Sequence, residues 1–496
     1  MSNPLGNSKA SATAVETTFD SSRSGGSSTL AMRIAILGQG NSNVVYSNDK
    51  LEITSSKQAG DVYGYGSPIH LCSLILFSIS GDRVTGVPVT VYPCDEPAGA
   101  AANTRTISIT GTATETGTII VSRGTSVFSV GVKKGSTSED LYTLIMDQIN
   151  GDINYPFNAS IVADDDDETV KTLELTTKAK GAWGNEIIIN FKNVPEGLIV
   201  TNTNNEDGAG NIDVTEPLNL LGNSWETLLI NTSPYTDETT LNEIQGIGEG
   251  RWDPLITKPY IAINGTNETD FTTLKTFTNT RKDDRINVLF NHADSESLYF
   301  EIATNFAMII ANLGDQNPSR ATNDAYLRNV VAGSEQAQPD FIERNSCVLA
   351  GLATSVVTDG LIQVKDPITL FHPTGDDEPA YRYIVNIIKL MNVINALNQR
   401  FAQEYWKGVA LIPNGQTVNT NTGAKQPNDA KAEANIVVND MAKRAILVNP
   451  EETIKNTIAK QSDVNNNRID LIIPIVLSSN VNQSSTELRF AFNTGG

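Results

Sequence analysis

The most regular pattern of apolar positions in the chain lies between Leu352 and Phe401. It opens with a short β-prone run, Leu361–Val364, which Lys365-Asp366-Pro367 ends, and from Tyr381 onward apolar residues recur at helical spacing. The apolar positions are Ile384, Ile387, Ile388, Met391, Ile394 and Phe401, and those on the opposite side are Asn386, Lys389, Asn392, Asn395 and Gln399. The pattern predicts a buried strand and then a long helix with one buried face and one polar face.

Two other regions predict helices packed on a sheet. Met32–Leu37 predicts a buried strand, and Ser67-Pro68 predicts the start of a helix over Ile69–Phe77, because serine caps helices and proline is favoured in the first turn. After Glu216, strands alternate with helices, an order typical of an α/β layer. The predicted strands are Leu228–Asn231, Tyr260–Ile263 and Ile286–Phe290, and the predicted helices are Thr239–Gln245, Phe271–Thr278 and Ser297–Leu313.

Between Pro88 and Val214 the pattern changes to short Thr-, Ser- and Val-rich runs separated by glycines, which predict strands. One helical run, Ser138–Asn150, interrupts them, and the acidic run Asp164–Glu168 falls between two of them. We expect an inserted all-β, sandwich-like module here. Its predicted strands are Thr106–Ile109, Thr118–Val121, Val127–Val132, Thr172–Thr176 and Glu186–Phe191.

The two ends of the chain are polar. Met1–Thr29 has too few large apolar residues to offset its ordering entropy, so we expect a free arm unless another molecule binds it. A polar connector, Ser478–Ser485, precedes an alternating strand at Glu487–Phe492. Before the connector, the predicted elements are a loop at Pro413–Pro427 and strands at Ala445–Val448 and Arg468–Leu477.

The expected fold class is therefore a multidomain α/β protein with an inserted all-β module and extended N- and C-terminal arms. The expected divisions are an N-terminal arm (1–31), a middle α/β domain (32–87 with 216–350), the β module (88–215), a C-terminal α/β domain (351–478) and a C-terminal arm strand (479–496).

Composition narrows the range of partners. The formal net charge is −21 with only 36 Lys and Arg residues, which disfavours nucleic acid and anionic membrane surfaces as partners. Cys72, Cys94 and Cys347 are far apart and form no CxxC pair, which favours a reduced, cytosolic folding environment. Neither a signal peptide nor a membrane-spanning apolar run is expected.

No pattern of catalytic residues stands out. His70, His292 and His372 have no metal-ligand spacing, and Asp164–Asp167 lacks the alternating ligands of a calcium loop. Gly246–Gly250 departs from the spacing of a phosphate-binding turn. We therefore predict no catalytic, cofactor-binding or metal-binding residues, and a protein that is not an enzyme.

The two polar ends suggest assembly instead. A strand given to the open sheet edge of a neighbour forms main-chain hydrogen bonds that do not depend on side-chain detail. Two alternatives stay open: the N-terminal arm is a frayed terminus, and Glu487–Phe492 is an ordinary edge strand of its own subunit.

Several motifs, taken in order, resemble the tail sheath proteins of contractile phages, in particular the Mu-like branch. These motifs are Gly64–Pro68, Pro156–Ala159, Leu173–Thr177, Lys180–Asn185, Asn317–Arg320, Glu343–Asn345, Leu349–Leu352 and Asp359-Gly360. The sequence departs from the family pattern at Val364–Thr369, where Lys365-Asp366-Pro367 replaces the usual residues, and Asn317 stands where Asp is commoner. Each motif is short, and the resemblance comes from their order along most of the chain.

The resemblance implies a structural subunit of hexameric rings stacked around a tail tube. Such a sheath is assembled extended and contracts without nucleotide, driving the tube through the host envelope. The implied partners are other copies of the chain, the tail tube protein, and baseplate and tail terminator proteins. The implied location is the virion tail, assembled in the host cytoplasm.

The resemblance also assigns roles to residues. The intersubunit arms would contain Thr17, Thr18, Phe19, Asp20, Arg23, Glu487, Leu488, Arg489, Phe490, Ala491 and Phe492. The accepting sheet would contain Ile469, Leu471, Ile473, Ile475 and Leu477, and candidate tube contacts are Lys389 and Gln399. The β module would face outward.

Two other functions stay open. One is the sheath of a phage-derived bacterial injection device, whose subunit sequence is hard to separate from that of a phage. The other is a carbohydrate-binding or hydrolytic tail protein, for which the β module offers Trp183 and the Asp run but no convincing carboxylate pair.

Overall fold

The computed structural model describes residues 29–163, 171–375, 379–418, 423–481, 484 and 486–488. The chain divides into two compact units. The C-terminal unit consists of residues 392–478 with the described residues 29 and 30, and the main unit consists of residues 31–391 with the described part of 479–488.

The described chain contains 20 strands and 11 α-helices across the two units. The strands are β1 (Ile34–Gln39), β2 (Leu51–Ile53), β3 (Val89–Cys94), β4 (Thr104–Gly111), β5 (Gly117–Arg123), β6 (Ser126–Val132), β7 (Phe157–Ala163), β8 (Lys171–Thr177), β9 (Asn190–Lys192), β10 (Leu198–Glu206), β11 (Leu228–Asn231), β12 (Ile261–Thr266), β13 (Asn287–Asn291), β14 (Tyr326–Leu327), β15 (Ala353–Thr358), β16 (Leu361–Lys365), β17 (Leu447–Val448), β18 (Ile458–Gln461), β19 (Ile469–Ile472) and β20 (Val476–Leu477). The helices are α1 (Ser56–Tyr63), α2 (Pro68–Leu76), α3 (Ser138–Gly151), α4 (Thr215–Asn219), α5 (Glu238–Arg251), α6 (Phe271–Asn279), α7 (Tyr299–Gln316), α8 (Phe341–Leu349), α9 (Ile384–Phe401), α10 (Pro427–Lys443) and α11 (Pro450–Asn456).

A mixed sheet forms the centre of the main unit, with strand order β14-β16-β15-β13-β12-β11-β1-β3-β2. The pairings from β3 to β15 in this order are parallel, and the pairings β2–β3, β15–β16 and β16–β14 are antiparallel. Every residue of β1, β3, β11, β12 and β13 is buried, as expected of parallel strands with both faces covered. This confirms the predicted α/β class.

Helix α7 packs against the centre of this sheet. Nearly all of its residues are buried, and the ring of Phe306 stacks on that of Phe290 in β13 with centroids 4.1 Å apart. The helix can approach β12 closely because Gly265 has no side chain: a Cβ there would lie 2.0 Å from the carbonyl oxygen of Tyr299. The predicted helix Ser297–Leu313 is thus confirmed, shifted toward the C-terminus.

The β-rich region contains two antiparallel sheets, β10-β4-β8-β7 and β6-β5-β9. Helix α3 packs against strands of both, with Leu141, Tyr142, Ile145 and Ile149 buried. A buried ion pair connects the region to α7, where the Arg123 guanidinium lies 2.8 Å from the Glu301 carboxylate. The region is therefore mainly β, with one packed helix.

One predicted strand of this region is largely wrong. Glu186–Phe191 is preceded by a 3₁₀ turn over Ala182–Glu186, and only Asn190–Lys192 pairs as a strand. The Arg105 guanidinium donates hydrogen bonds to the carbonyl oxygens of Gly184 and Asn185, at 3.3 and 2.9 Å. These carbonyls are thereby satisfied by a side chain instead of a neighbouring strand.

The C-terminal unit is smaller and has short strands. Its core joins the end of α9 to α10 and includes Val393, Val437, Met441 and Ile446. Helix α10 was not predicted: its sequence is mostly polar, and its buried residues are mainly small ones, Ala and Val, with Pro427 and Met441. The predicted strand Ala445–Val448 is shorter in the structure, because Ala445 has a left-handed backbone conformation (φ 54°).

The close approach of α7 to β12 generates a stability prediction. Gly265→Ala should lower the free energy of unfolding of the main unit by about 2 kcal/mol or more, because the backbone must move to admit the methyl group. Gly246→Ala is the matched control, since a Cβ there meets no atom within 4 Å and alanine favours the helix. Urea unfolding of both variants tests this, and equal midpoints would contradict the packing described.

Candidate functional site

Two of the three histidines, His70 and His292, are buried and hydrogen-bonded inside the protein. His70 is 1% exposed and its Nδ1 accepts a hydrogen bond from the Gly66 N–H at 3.1 Å. His292 is fully buried, with Nδ1 2.8 Å from the hydroxyl oxygen of Ser355. Burial lowers the pKa of each imidazole to about 4, so both rings are neutral at pH 7. These contacts hold the fold together.

The other chemical candidates are also structural where they are described. Gly246–Gly250 lies inside α5, so its N–H groups are used within a helix. Trp183 is 5% exposed and donates its indole N–H to the Lys180 carbonyl oxygen at 3.2 Å, so it offers no platform for a sugar ring. Asp164–Glu168 lies outside the described residues.

The described residues contain neither a metal-binding cluster nor a membrane-spanning helix. Within them, no group of three or more His, Cys, Asp or Glu side chains is arranged to hold a metal ion. Among the helices that the structure describes, none is long and apolar enough to cross a bilayer.

The predicted arm residues are described only in part. Thr17, Thr18, Phe19, Asp20, Arg23, Arg489, Phe490, Ala491 and Phe492 lie outside the described residues. Glu487 and Leu488 are described and belong to no strand, and the Leu488 side chain is 81% exposed. The role of all these residues in joining subunits stays a prediction.

The predicted accepting strand Arg468–Leu477 is wrong as one continuous strand. It forms two short strands, β19 and β20, which pair with different partners on either side of Pro474. Proline has no N–H to donate to a ladder, so the chain turns there, and the Ile475 N–H bonds the Ile473 carbonyl oxygen at 3.0 Å. The predicted residues divide accordingly: Ile469 and Leu471 lie in β19, Leu477 lies in β20, and Ile473 and Ile475 pack on the core between them.

The resulting arrangement is two separate pairs of strands, β18 with β19 and β17 with β20. Within the described residues neither pair has a third strand, so each strand is paired along one edge only. The hairpin β18–β19 is antiparallel, with Ile458 opposite Ile472 and Lys460 opposite Asp470. One side of this hairpin packs on α10.

The other side of the hairpin has two exposed apolar residues, Ile458 and Ile472. Ile458 and Ile472 are 55% and 58% exposed although they face each other across the two strands. Asp470 accepts a hydrogen bond from Arg468 at 2.7 Å, which lowers the pKa of its carboxyl group. An isolated hairpin of this length is marginally stable in water, and further strands or packing would stabilise it. The hairpin is thus suited to accept another strand.

The two candidate tube contacts lie in different surroundings. Lys389 is fully buried, its Nζ donates to the Asn480 side-chain oxygen at 2.7 Å, and burial lowers its pKa to about 8. Gln399 is half-buried and donates to the Asn395 side-chain oxygen at 3.3 Å. Their contact with a tube stays a prediction. The expected polar face of α9 is wrong at Lys389 and at Asn392, which is 2% exposed, because both side chains hydrogen-bond inside the protein.

Two parts of this site were missed in the sequence. Strand β18 is only four residues long, and its signal was the apolar-polar alternation of Ile458–Gln461 followed by Asn465–Asn467, a typical turn sequence. Asn480 was treated as part of a polar connector, and nothing in the sequence distinguishes it from the other polar residues there.

Comparison with known proteins gives one sequence relative and one structural neighbour of particular relevance. No protein-family model matches the sequence. The chain is 26% identical over 429 residues to the Mu-like prophage FluMu tail sheath protein of Haemophilus influenzae, and the match covers 84% of each chain. The crystal structure of the sheath tail protein Lin1278 from Listeria innocua matches with a TM-score of 0.50 at 10% identity, covering 92% of this chain and 94% of the other.

These comparisons confirm the resemblance to tail sheath proteins. The sequence relative is matched over most of its length, so the resemblance is not limited to one domain. At 10% identity, the Listeria protein shows a shared fold and no more.

The buried histidines generate a pH prediction. In the unfolded chain a histidine binds a proton below about pH 6.5, whereas folded His70 does so only near pH 4. The free energy of unfolding should therefore fall as the pH is lowered from about 6.5 to 4. His70→Asn keeps an acceptor near the Gly66 N–H and should reduce the loss between pH 7 and 5 by about 2 kcal/mol. Urea unfolding at both pH values tests this, and an equal loss in both proteins would refute it.

Proposed function

We propose that this chain is a structural subunit of a contractile phage tail sheath. The observation that carries the proposal is the pair of two-stranded sheets in the C-terminal unit, β18–β19 and β17–β20, whose outer edges pair with no other described strand. The sequence relative that matches this chain over 84% of its length is a tail sheath protein. A protein built for stacking would leave such edges open for its neighbours.

The proposed assembly joins subunits by strand exchange. The segment around Thr17–Arg23 and the segment Glu487–Phe492 of two copies add to the hairpin of a third. The added strands form main-chain hydrogen bonds, and their side chains pack beside Ile458 and Ile472, which are more than half exposed in the single subunit. Rings of six subunits then stack around a tail tube, with baseplate and terminator proteins at the two ends.

Contraction follows from two packings of the same subunits. The extended lattice is held behind a kinetic barrier, and the contracted lattice buries more surface between subunits, so the transition drives the tube through the host envelope. Exchanged strands keep subunits connected while the bodies rotate and slide. The β-rich region lies on the outside of the proposed assembly, and the net charge of −21 on the whole chain helps to keep assembled tails soluble.

The sheath of a phage-derived bacterial injection device would use the same subunit and the same contacts. The neighbouring genes decide between the two: capsid and terminase genes indicate a phage, and effector genes without them indicate a device. The carbohydrate-binding alternative has no support at Trp183, since that side chain is buried.

Deletion of the terminal segments tests the proposal directly. Removing Met1–Ser28 or Ser485–Gly496 should leave a folded protein that no longer polymerises, because the donated strands are lost. Electron microscopy of the purified wild type should show hollow striated cylinders, and the truncated proteins should stay as single subunits with unchanged circular dichroism. Cylinders at normal yield from both truncated proteins would rule out the arm model.

Substitution of the exposed isoleucine pair tests the accepting hairpin. Ile458→Thr with Ile472→Thr removes apolar surface but keeps β-branched side chains, so the subunit should fold normally. Each intersubunit contact should weaken by about tenfold, because the donated strand loses about 1.4 kcal/mol of apolar burial. The control is Val464→Thr, in the turn of the same hairpin and 89% exposed. Sedimentation should show fewer polymers for the double variant alone, and equal polymer in all three proteins would count against the hairpin.

A further inference from the structure

A buried lysine hydrogen-bonds the start of the C-terminal segment, the part of the chain that follows Asn480; we call this start its root. Lys389 of α9 is fully buried, and its ammonium group donates a hydrogen bond to the side-chain oxygen of Asn480 at 2.7 Å. The Asn480 side-chain amide in turn donates to the carbonyl oxygen of Ser319 at 2.8 Å. All three residues belong to the main unit. Beyond Asn480 the described residues belong to no strand, and these hydrogen bonds hold the chain directly before them.

Hydrogen bonds within the C-terminal unit also hold Thr29 and Leu30, the residues that follow the N-terminal segment and form its root. The Leu30 N–H donates a hydrogen bond to the side-chain oxygen of Asn392 at 3.0 Å, and Asn392 is 2% exposed. The Thr29 hydroxyl oxygen accepts a hydrogen bond from the Arg444 guanidinium at 3.1 Å. These bonds hold the residues that directly follow Met1–Ser28, the segment proposed above to join subunits.

The side chains of Lys389 and Asn392 both come from α9, and burying either polar group costs free energy. Lys389 and Asn392 are three residues apart on α9, so they lie on the same side of it. A buried ammonium or amide group destabilises a protein unless it is hydrogen-bonded, and an apolar residue at either position would avoid that cost. Each side chain therefore needs hydrogen-bond partners, and these partners include Asn480 for Lys389 and the Leu30 N–H for Asn392, which adjoin the two terminal segments.

We propose that α9 is the anchor of both terminal segments, with Lys389 holding the C-terminal root through Asn480 and Asn392 holding the N-terminal root at Leu30. The inference rests on the proposed sheath function, in which those segments connect one subunit to the next. The anchor fixes where each segment leaves the subunit, and it transmits pull from neighbouring subunits to one helix. Lys389 and Asn392 are then positioning residues for assembly.

The first experiment compares variants that remove or keep each bond. Lys389→Met and Asn480→Ala both break the C-terminal root, so each should lower the polymer fraction by about tenfold. The double variant should lose less polymer than the sum of the two single losses, because both substitutions remove the Lys389–Asn480 hydrogen bond. Lys134→Met is the control for loss of a lysine charge, since Lys134 is exposed in the β-rich region. Unfolding midpoints of the single subunits should not fall for Lys389→Met.

The second experiment reads the N-terminal root directly. Asn392→Leu removes the acceptor of the Leu30 N–H, whereas Asn392→Asp keeps an acceptor oxygen at that position. Hydrogen exchange of the Leu30 amide should be about tenfold faster in Asn392→Leu than in Asn392→Asp, and polymerisation should fall in the first variant only.

The outcomes separate the anchor from the function on which it rests. If the wild type forms no cylinders, the proposed sheath function fails, and the anchor fails with it. If the wild type and all anchor variants polymerise equally while the truncated proteins do not, the anchor alone is overturned. Faster exchange at Leu30 without any loss of polymer also overturns it, since the bond would then have no role in assembly.

Discussion

The structure depends on the requirement that backbone N–H and C=O groups of β-strands find partners. The large sheet of the main unit meets this requirement within the subunit: its inner strands are paired on both sides and it ends in the short strands β2 and β14, of three and two residues. Short edge strands limit unwanted pairing. The C-terminal unit differs, because within the described residues its strands are paired on one side only. The proposed assembly follows from that difference.

The proposed contact between subunits is made mainly by backbone groups, and this affects both how far the sequence can vary and how the subunits can move. Main-chain hydrogen bonds do not depend on side-chain identity, which suits a fold shared with the Listeria sheath protein at 10% sequence identity. In the proposed assembly such bonds would connect subunits through short extended segments, so the subunits could change their packing without losing the connection. The anchor on α9 would then limit this freedom to the segments beyond Leu30 and Asn480.

The sequence predicted the regular parts of the fold well. The strands Leu228–Asn231 and Leu361–Val364 and the helix that begins near Tyr381 are confirmed, because a continuous apolar run or a clear helical period marked each of them. Predictions failed where tertiary contacts outweigh local pattern. Helix α10 buries mainly small residues and so lacks a strong apolar stripe. Pro474 divides one apolar run between two sheets.

The candidate site was only partly visible in the sequence for the same reason. The polar residues Lys389 and Asn392 fit the exposed face of an amphipathic helix, and only their distant partners Asn480 and Leu30 explain why they are buried. Cryo-electron microscopy of the assembled polymer, at a resolution that traces the backbone, tests the central claim most directly. The account predicts that the β18–β19 hairpin is extended by strands from other copies. A hairpin still limited to two strands, with both terminal segments folded on their own subunit, would contradict it.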